Sequence, residues 1–277
     1  MEFRTECTRV AAPPNHLYQH LRRRLLQHLL PPPPTRNLKI LYLFSGESRT
    51  GDLKSQLWEE GLRHSIEIEV VEYDIKHGEK FNLFDDAVWE QVRKDIENDI
   101  YQMVIVSPPC STHSRATYRP RDGPKPLRSK LFPWGFPWLG GARRRKLNYY
   151  NTLLARAIEA CELAAARNIH FLFEHPEDLG KTYNQWPASV WQLQEMKRLA
   201  VKASACRLAI HQRWFGTPFL KPTGLLTTCT RTAAFPIHGW PYFSSKGRYL
   251  GPLKYEIGPS MLMGAHITSD SAAYPPE

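Results

Sequence analysis

Residues 103–115, Met-Val-Ile-Val-Ser-Pro-Pro-Cys-Ser-Thr-His-Ser-Arg, constrain the fold more than any other stretch of this chain. Four apolar, mostly β-branched residues read as a buried strand. Pro108-Pro109 ends it, because proline cannot donate to a sheet ladder. The next residue is Cys110, which places a thiol at the mouth of a sheet. Taken alone, the pattern fits a Pro-stopped loop with an incidental cysteine as well as a presented nucleophile.

The neighbouring runs extend the pattern. Leu38–Phe44 is a short apolar run followed by Ser45-Gly46-Glu47-Ser48-Arg49-Thr50-Gly51-Asp52. Ile66–Val71 leads to Glu72-Tyr73-Asp74, and Ile169–Phe173 leads to Glu174-His175-Pro176. Lys80–Leu83 sits where a further strand would end, at Asn82. Between these runs, Asp52–Glu60 (stopping at Gly61), Ala87–Ile96 and Leu147–Arg167 carry helical spacing. Strands alternating with helices predict an α/β fold with a doubly wound, mostly parallel sheet. Ligands of such sheets bind at the carboxyl ends of the strands, where each polar cluster falls.

At 277 residues the chain has the length of one domain that needs neither disulfides nor metal to bury a core. Cysteines 7, 110, 161, 206 and 229 are odd in number and show no paired spacing. They predict a reducing, intracellular compartment (nuclear if eukaryotic, otherwise cytoplasmic) and no structural zinc. Cys110 and His113 supply half a metal site with no second pair to complete it. No run approaches the roughly twenty apolar residues of a membrane span. Residues 1–37, with Arg22-Arg23-Arg24 and Pro31–Pro34, read as an appended tail, and Glu2 and Glu6 count against a transit peptide. Residues 38–230 then form the main domain and 231–277 a short carboxy-terminal segment.

Charge is concentrated. The formal net charge is +10, and residues 115–148 hold ten Lys/Arg against Asp122 alone. The same Pro/Gly-rich connection carries Phe132, Trp134, Phe136 and Trp138. Long connections of this kind inside a domain are usually functional or disordered. Basic residues interleaved with aromatics suit phosphates and unstacked bases, so a nucleic-acid partner is expected; the alternative is a solvated basic loop.

From about Leu38 to Thr228 the chain resembles the cytosine carbon-5 DNA methyltransferases. Phe44-Ser45-Gly46 is similar to the Phe-x-Gly turn that holds the methionine part of S-adenosylmethionine. Glu72 or Asp74 resembles the acid on the cofactor ribose, and Asn82 stands where an Asp usually meets the adenine. Pro108-Pro109-Cys110 matches the nucleophile motif. Glu174-His175-Pro176 resembles the Glu-Asn-Val or Glu-Asn-Pro triplet, and Phe215-Gly216-Thr217-Pro218 the Tyr-Gly-x-Pro turn. The resemblance implies a Rossmann-like methyltransferase fold, S-adenosylmethionine as cofactor, and nucleic acid as substrate, DNA favoured over RNA. It assigns Cys110 as nucleophile and Glu174 as acid. Phe44, Ser45, Gly46, Glu72, Asp74, Asn82 and Pro108 fall to the cofactor. Ser111, Arg115, Lys221, Arg143, Arg144, Arg145 and Lys146 fall to the substrate.

The chemistry explains these residue types. Thiolate addition at carbon 6 of cytosine makes carbon 5 nucleophilic, and a carboxylic acid at ring nitrogen 3 quenches the developing charge. The base must leave its stack first.

Departures from the family are also plain. Ser48 and Arg49 lie where further glycines are usual, and His175 replaces Asn. The Gln-x-Arg-x-Arg strand reads Phe219-Leu220-Lys221-Pro222-Thr223, keeping one charge. A reduced or truncated target-recognition region is expected after Thr230. Either Ala272-Ala273-Tyr274-Pro275-Pro276 or Gly258-Pro259-Ser260 stands in for the closing motif. Two other readings remain open. An amino-methylating enzyme would share Ser107-Pro108-Pro109 but needs an aromatic at position 110. A non-catalytic nucleic-acid-binding relative has no use for both Cys110 and Glu174. Cys161, Cys206, Trp186 and Trp191 read as packing residues, Tyr183 likewise, and His211 and Gln212 as a polar strand end.

Overall fold

A computed structural model of the chain describes residues 36–118, 124–182, 185–215, 220–229 and 237–254. The Arg22–Arg24 tail, Arg119, Arg121, Asp122, Tyr183, Gly216-Thr217-Pro218-Phe219 and both candidate closing motifs lie outside them.

The chain is mixed α/β around a six-stranded sheet. Strand β1 (Arg36–Leu43) is followed by helix α1 (Leu53–Arg63), β2 (Ile66–Tyr73), α2 (Asp86–Glu97) and β3 (Met103–Val106). Then come α3 (Gly141–Ala166), β4 (His170–Pro176), α4 (Gln194–Lys202), β5 (Cys206–His211) and β6 (Pro222–Thr227). The order across the sheet is β2-β1-β3-β4-β6-β5. Strands β1 to β4 pair in parallel, and β6 runs antiparallel to both its neighbours. A small hairpin, β7 (Tyr242–Phe243) and β8 (Tyr249–Gly251), packs at the β4–β5 side through bridges from Arg248 to Gly180 and from His238 to Leu208.

Side chains alternate between the two faces of each strand. Leu41, Leu43, Val104, Val106, Phe171 and Phe173 meet Val92 and Ile96 of α2, Leu153 to Ala164 of α3 and Met196 and Leu199 of α4 in one large core. Ile40, Tyr42, Val70 and Ile105 face the other way, against Leu53 and Leu57 of α1. Helices therefore cover both faces. Full burial of such a side chain stabilises by about 1.5–3 kcal/mol, so the first face carries most of the hydrophobic stabilisation. No helix among the described residues is long and apolar enough to cross a membrane.

Four local expectations are corrected. Lys80–Leu83 forms no strand; Glu79–Phe81 is a 3-10 turn closed by Asn82, whose side-chain oxygen accepts from Phe84 N. Gly61 does not stop α1. The helix runs on to Arg63, and the missing side chain lets it sit on β2, where a Cβ would lie 2.6 Å from the Ile66 carbonyl oxygen. Helix α3 begins at Gly141 rather than Leu147, so Arg143 to Lys146 lie on its first turns and not in the loop. Strand β4 extends through Glu174, His175 and Pro176, because β6 pairs with all three.

A candidate active site at the carboxyl end of the sheet

Three parallel strands deliver their ends to one edge. After β1, Phe44 N donates to Tyr73 O at 2.7 Å, and Phe44 adopts a left-handed φ of 62°. That conformation is rare for a bulky residue and marks a constrained turn. Gly46 follows with φ 79° and open space where a Cβ would stand, so glycine is needed for the backbone angle and not for clearance. Asp74 fixes the turn: its carboxylate accepts from Gly46 N at 3.0 Å and from Lys76 N at 2.9 Å. Ser45 Oγ meets His77 Nε2 at 3.1 Å. Of the two candidate acids, Asp74 is thus committed to the protein itself. Glu72 lies on the α1 face and pairs with Lys54 at 2.8 Å, with His77 Nε2 4.0 Å from its other oxygen. Asn82 is tied within its own turn to Glu79 and Phe84.

After β3, Ser107 N donates to Leu43 O at 3.1 Å, extending the ladder by one bond before the prolines end it. Pro108 is buried, Pro109 exposed and Cys110 half-buried. Burial pushes the Cys110 thiol up, the Glu174 charge pushes it further, and Lys221 acts in the opposite direction. Glu174 is buried within β4, paired in register with Leu225 of β6. Burial raises its carboxyl too, with Lys221 again opposing. Its Oε1 has no hydrogen-bond partner among the described residues. A protonated carboxyl with a vacant oxygen can donate to, or accept from, a planar ring. Tyr42 stands on the same sheet face; burial raises its phenol, and both Glu174 and Glu72 add to the rise. The structure therefore brings Cys110, Glu174 and Lys221 into one electrostatic neighbourhood, with Glu72 on β2, two strands across from β3.

His175 faces the opposite way, as alternation requires. Its ring packs on Phe173 at 6.5 Å and edge-on to His113 at 5.4 Å. Neither ring nitrogen has a partner among the described residues, and burial holds its pKa down to about 3. Arg128 completes this group. It is 1% exposed, donates to Thr112 Oγ1 at 2.9 Å and Pro133 O at 3.0 Å, and meets His113 Nε2 at 3.1 Å. Arginine only donates, so His113 Nε2 accepts and its proton sits on Nδ1. Burial and the Arg128 charge hold His113 well below its ordinary value. A cation at that nitrogen leaves no room for the metal half-site. Among the described residues no three His, Cys, Asp or Glu side chains gather as metal ligands.

The basic segment is thus partly structural. Arg128 is an internal brace, Arg144 donates to the Phe136, Pro137 and Leu139 carbonyls, and Arg143 donates to Pro126 O. Arg115 donates to Lys181 O. Arg145 and Lys146 are exposed, and Ser111 is exposed beside Cys110. Sequence reasoning did not single out Arg128, Thr112 or Tyr42. Arg128 is one cation among ten in that stretch, and only the fold distinguishes it. Cys161 and Trp191 are core residues. Cys206 opens β5, half-buried, with its sulfur 3.0 Å from His238 Nδ1, while His211 and Gln212 are buried.

Comparison of the chain with models of known protein families gave no match, and comparison with curated proteins gave none either.

Proposed function

We propose that this chain transfers a methyl group from S-adenosylmethionine to carbon 5 of cytosine in nucleic acid, DNA favoured, on a Rossmann-like methyltransferase fold. One observation carries the reading: Val106 of β3 pairs in register with Phe173 of β4, so Pro108-Pro109-Cys110 and the buried Glu174 stand at the same end of neighbouring strands. The Glu174 charge raises the Cys110 thiol and Lys221 opposes it, which fits a thiol and an acid serving one site.

Cys110 adds to carbon 6, forming a carbon–sulfur bond. Glu174 delivers its proton to ring nitrogen 3, so the charge displaced by the addition is neutralised. Lys221 favours the thiolate form of Cys110. Once carbon 5 carries the methyl group, a solvent base takes its proton. The carbon 5–carbon 6 double bond re-forms as the carbon–sulfur bond breaks, Cys110 leaves as thiolate and Glu174 takes back the nitrogen-3 proton. The bound cofactor supplies an electrophilic methyl group. The open left-handed turn at Gly46 and the carboxylate of Glu72 fit its amino-acid end and its ribose, and Phe44, Ser45 and Pro108 border the same edge. Asp74 supports the turn, and Asn82 closes the following one.

A second reading, a nucleic-acid-binding relative without turnover, is favoured by the raised Cys110 thiol, which leaves little thiolate at neutral pH. Incubation with tritiated S-adenosylmethionine and separate DNA and RNA substrates distinguishes the two. Label in the polymer, DNA more than RNA, is expected. Polymer binding without label would select the second reading.

A further inference from the structure

Trp138 is 68% exposed, yet it is held in place. Its ring stacks on Phe136 with centroids 4.8 Å apart and planes at 15°, and Phe132 meets it edge-on at 5.3 Å. The three carbonyls bound by Arg144 belong to the same turn and fix its course. Leu131, which precedes Phe132 in the chain, is 84% exposed. An ordered, solvent-facing indole is a poor use of apolar surface unless something lies on it.

A cavity of about 380 Å³ borders the same segment, lined by Leu127, whose carbonyl accepts from Phe136 N. Among the described residues its lining includes Ser111, Thr117, Lys125, Leu127, Arg143 and Lys146, and no carboxylate. Leu127 belongs, with Leu139 and Leu147, to a small apolar cluster against which Phe136 packs. Platform and cavity therefore share one wall. Ser111 and Thr112, which line the cavity, directly follow Cys110 in the chain.

We propose that the chain binds its nucleic acid as an unpaired strand, one base lying on Trp138 and an adjacent phosphate held at the cavity by Lys125, Arg143 and Lys146. This deepens the proposed function and rests on its nucleic-acid reading. Three cations with no carboxylate among them match phosphate, and the apolar wall at Leu127 matches a sugar face. Stacking on an aromatic ring needs a free base face, which a single strand offers along its length and a duplex only at its ends. The base entering the Cys110 site then need not be extracted from a helix.

The test uses the full chain and fluorescence anisotropy with labelled oligothymidylate, alone or annealed to oligoadenylate. Neither polymer contains cytosine, so binding is read without catalysis. The single strand is expected to bind more tightly. Trp138→Ala is expected to weaken single-strand binding about 5- to 100-fold, the loss of one stacked base, with duplex binding unchanged. Trp138→Phe should retain most of the affinity. Equal affinity for the two polymers, or an unaffected Trp138→Ala variant, would overturn the inference and leave the methyltransferase reading standing. Binding to neither polymer would overturn both. A single-strand preference without methyl transfer supports the inference and removes only the catalytic reading.

Discussion

The two faces of the central sheet differ in what covers them. On one, α2, α3 and α4 meet the sheet through a continuous core that includes fully buried Leu41, Phe171 and Phe173. On the other, the described residues that a helix packs against Ile40, Tyr42, Val70 and Ile105 are Leu53 and Leu57 of α1, both merely half-buried. The boundary runs between consecutive residues of β4. His175 enters the thick face, buried beside His113; Glu174 enters the thin one, where Lys221 bears on it and its own charge bears on Tyr42 and Cys110. The thick face holds the sheet rigid, and the thin face can keep polar groups at the strand ends because fewer apolar side chains compete for that space.

The sharpest way to break this contrast is to exchange function between the neighbours. Glu174→Gln is expected to lower the methyl-transfer rate about 100- to 10,000-fold, since an amide cannot supply a proton. His175→Asn should leave the rate near that of the unmodified protein. Steady-state kinetics on both variants decide, and equal effects would erase the division of labour.

Packing gives the next effect. Phe171→Ala, at a position with no exposure, should destabilise by about 3–5 kcal/mol, and Leu57→Ala by less than half of that. Urea denaturation measures both. Comparable losses would mean that the thin face is packed as tightly as the thick one.

Titration should separate the faces by sign. His175 and His113 have folded values held below 6.5, so protons bind the unfolded chain better. Their contribution is present above pH 6.5 and is lost as pH falls towards the folded value, about 3 for His175, at about 1.4 kcal/mol per pH unit for each histidine. Glu174 has the opposite sense. Its raised carboxyl favours the folded state at low pH, and that contribution is lost as pH rises above 4.5. Melting temperatures against pH should flatten on the acid side in His175→Asn and above pH 4.5 in Glu174→Gln. The smallest effect lies at the thiol. Glu174→Gln should lower the pH midpoint for alkylation of Cys110 by iodoacetamide, because the Glu174 charge pushes that thiol up.

Much of this arrangement is legible in the sequence where one residue type forces one geometry. Pro108-Pro109 ends β3 just ahead of Cys110; Gly46 supplies a left-handed turn; the apolar run Ile169–Phe173 predicts β4. Long-range pairing is not legible. Partnership with β6 extends β4 through Glu174, and close packing on Ile66 and Ile68 explains Gly61 better than helix termination does. The basic segment shows the same limit. Composition marks it as cationic, but only tertiary contacts separate Arg128, braced against Thr112 and His113, from Lys146 in the open.

The central claim is that Cys110 attacks a cytosine ring while Glu174 protonates it. Its most direct test is to incubate the protein and S-adenosylmethionine with an oligonucleotide carrying 5-fluorocytosine, whose fluorine cannot leave as a proton does, and to resolve the products by denaturing electrophoresis. A denaturation-resistant protein–oligonucleotide adduct is expected for the unmodified chain, none for Cys110→Ser, and much slower formation for Glu174→Gln. An adduct formed by Cys110→Ser, or none formed by a chain that binds the oligonucleotide and S-adenosylmethionine, would contradict the account.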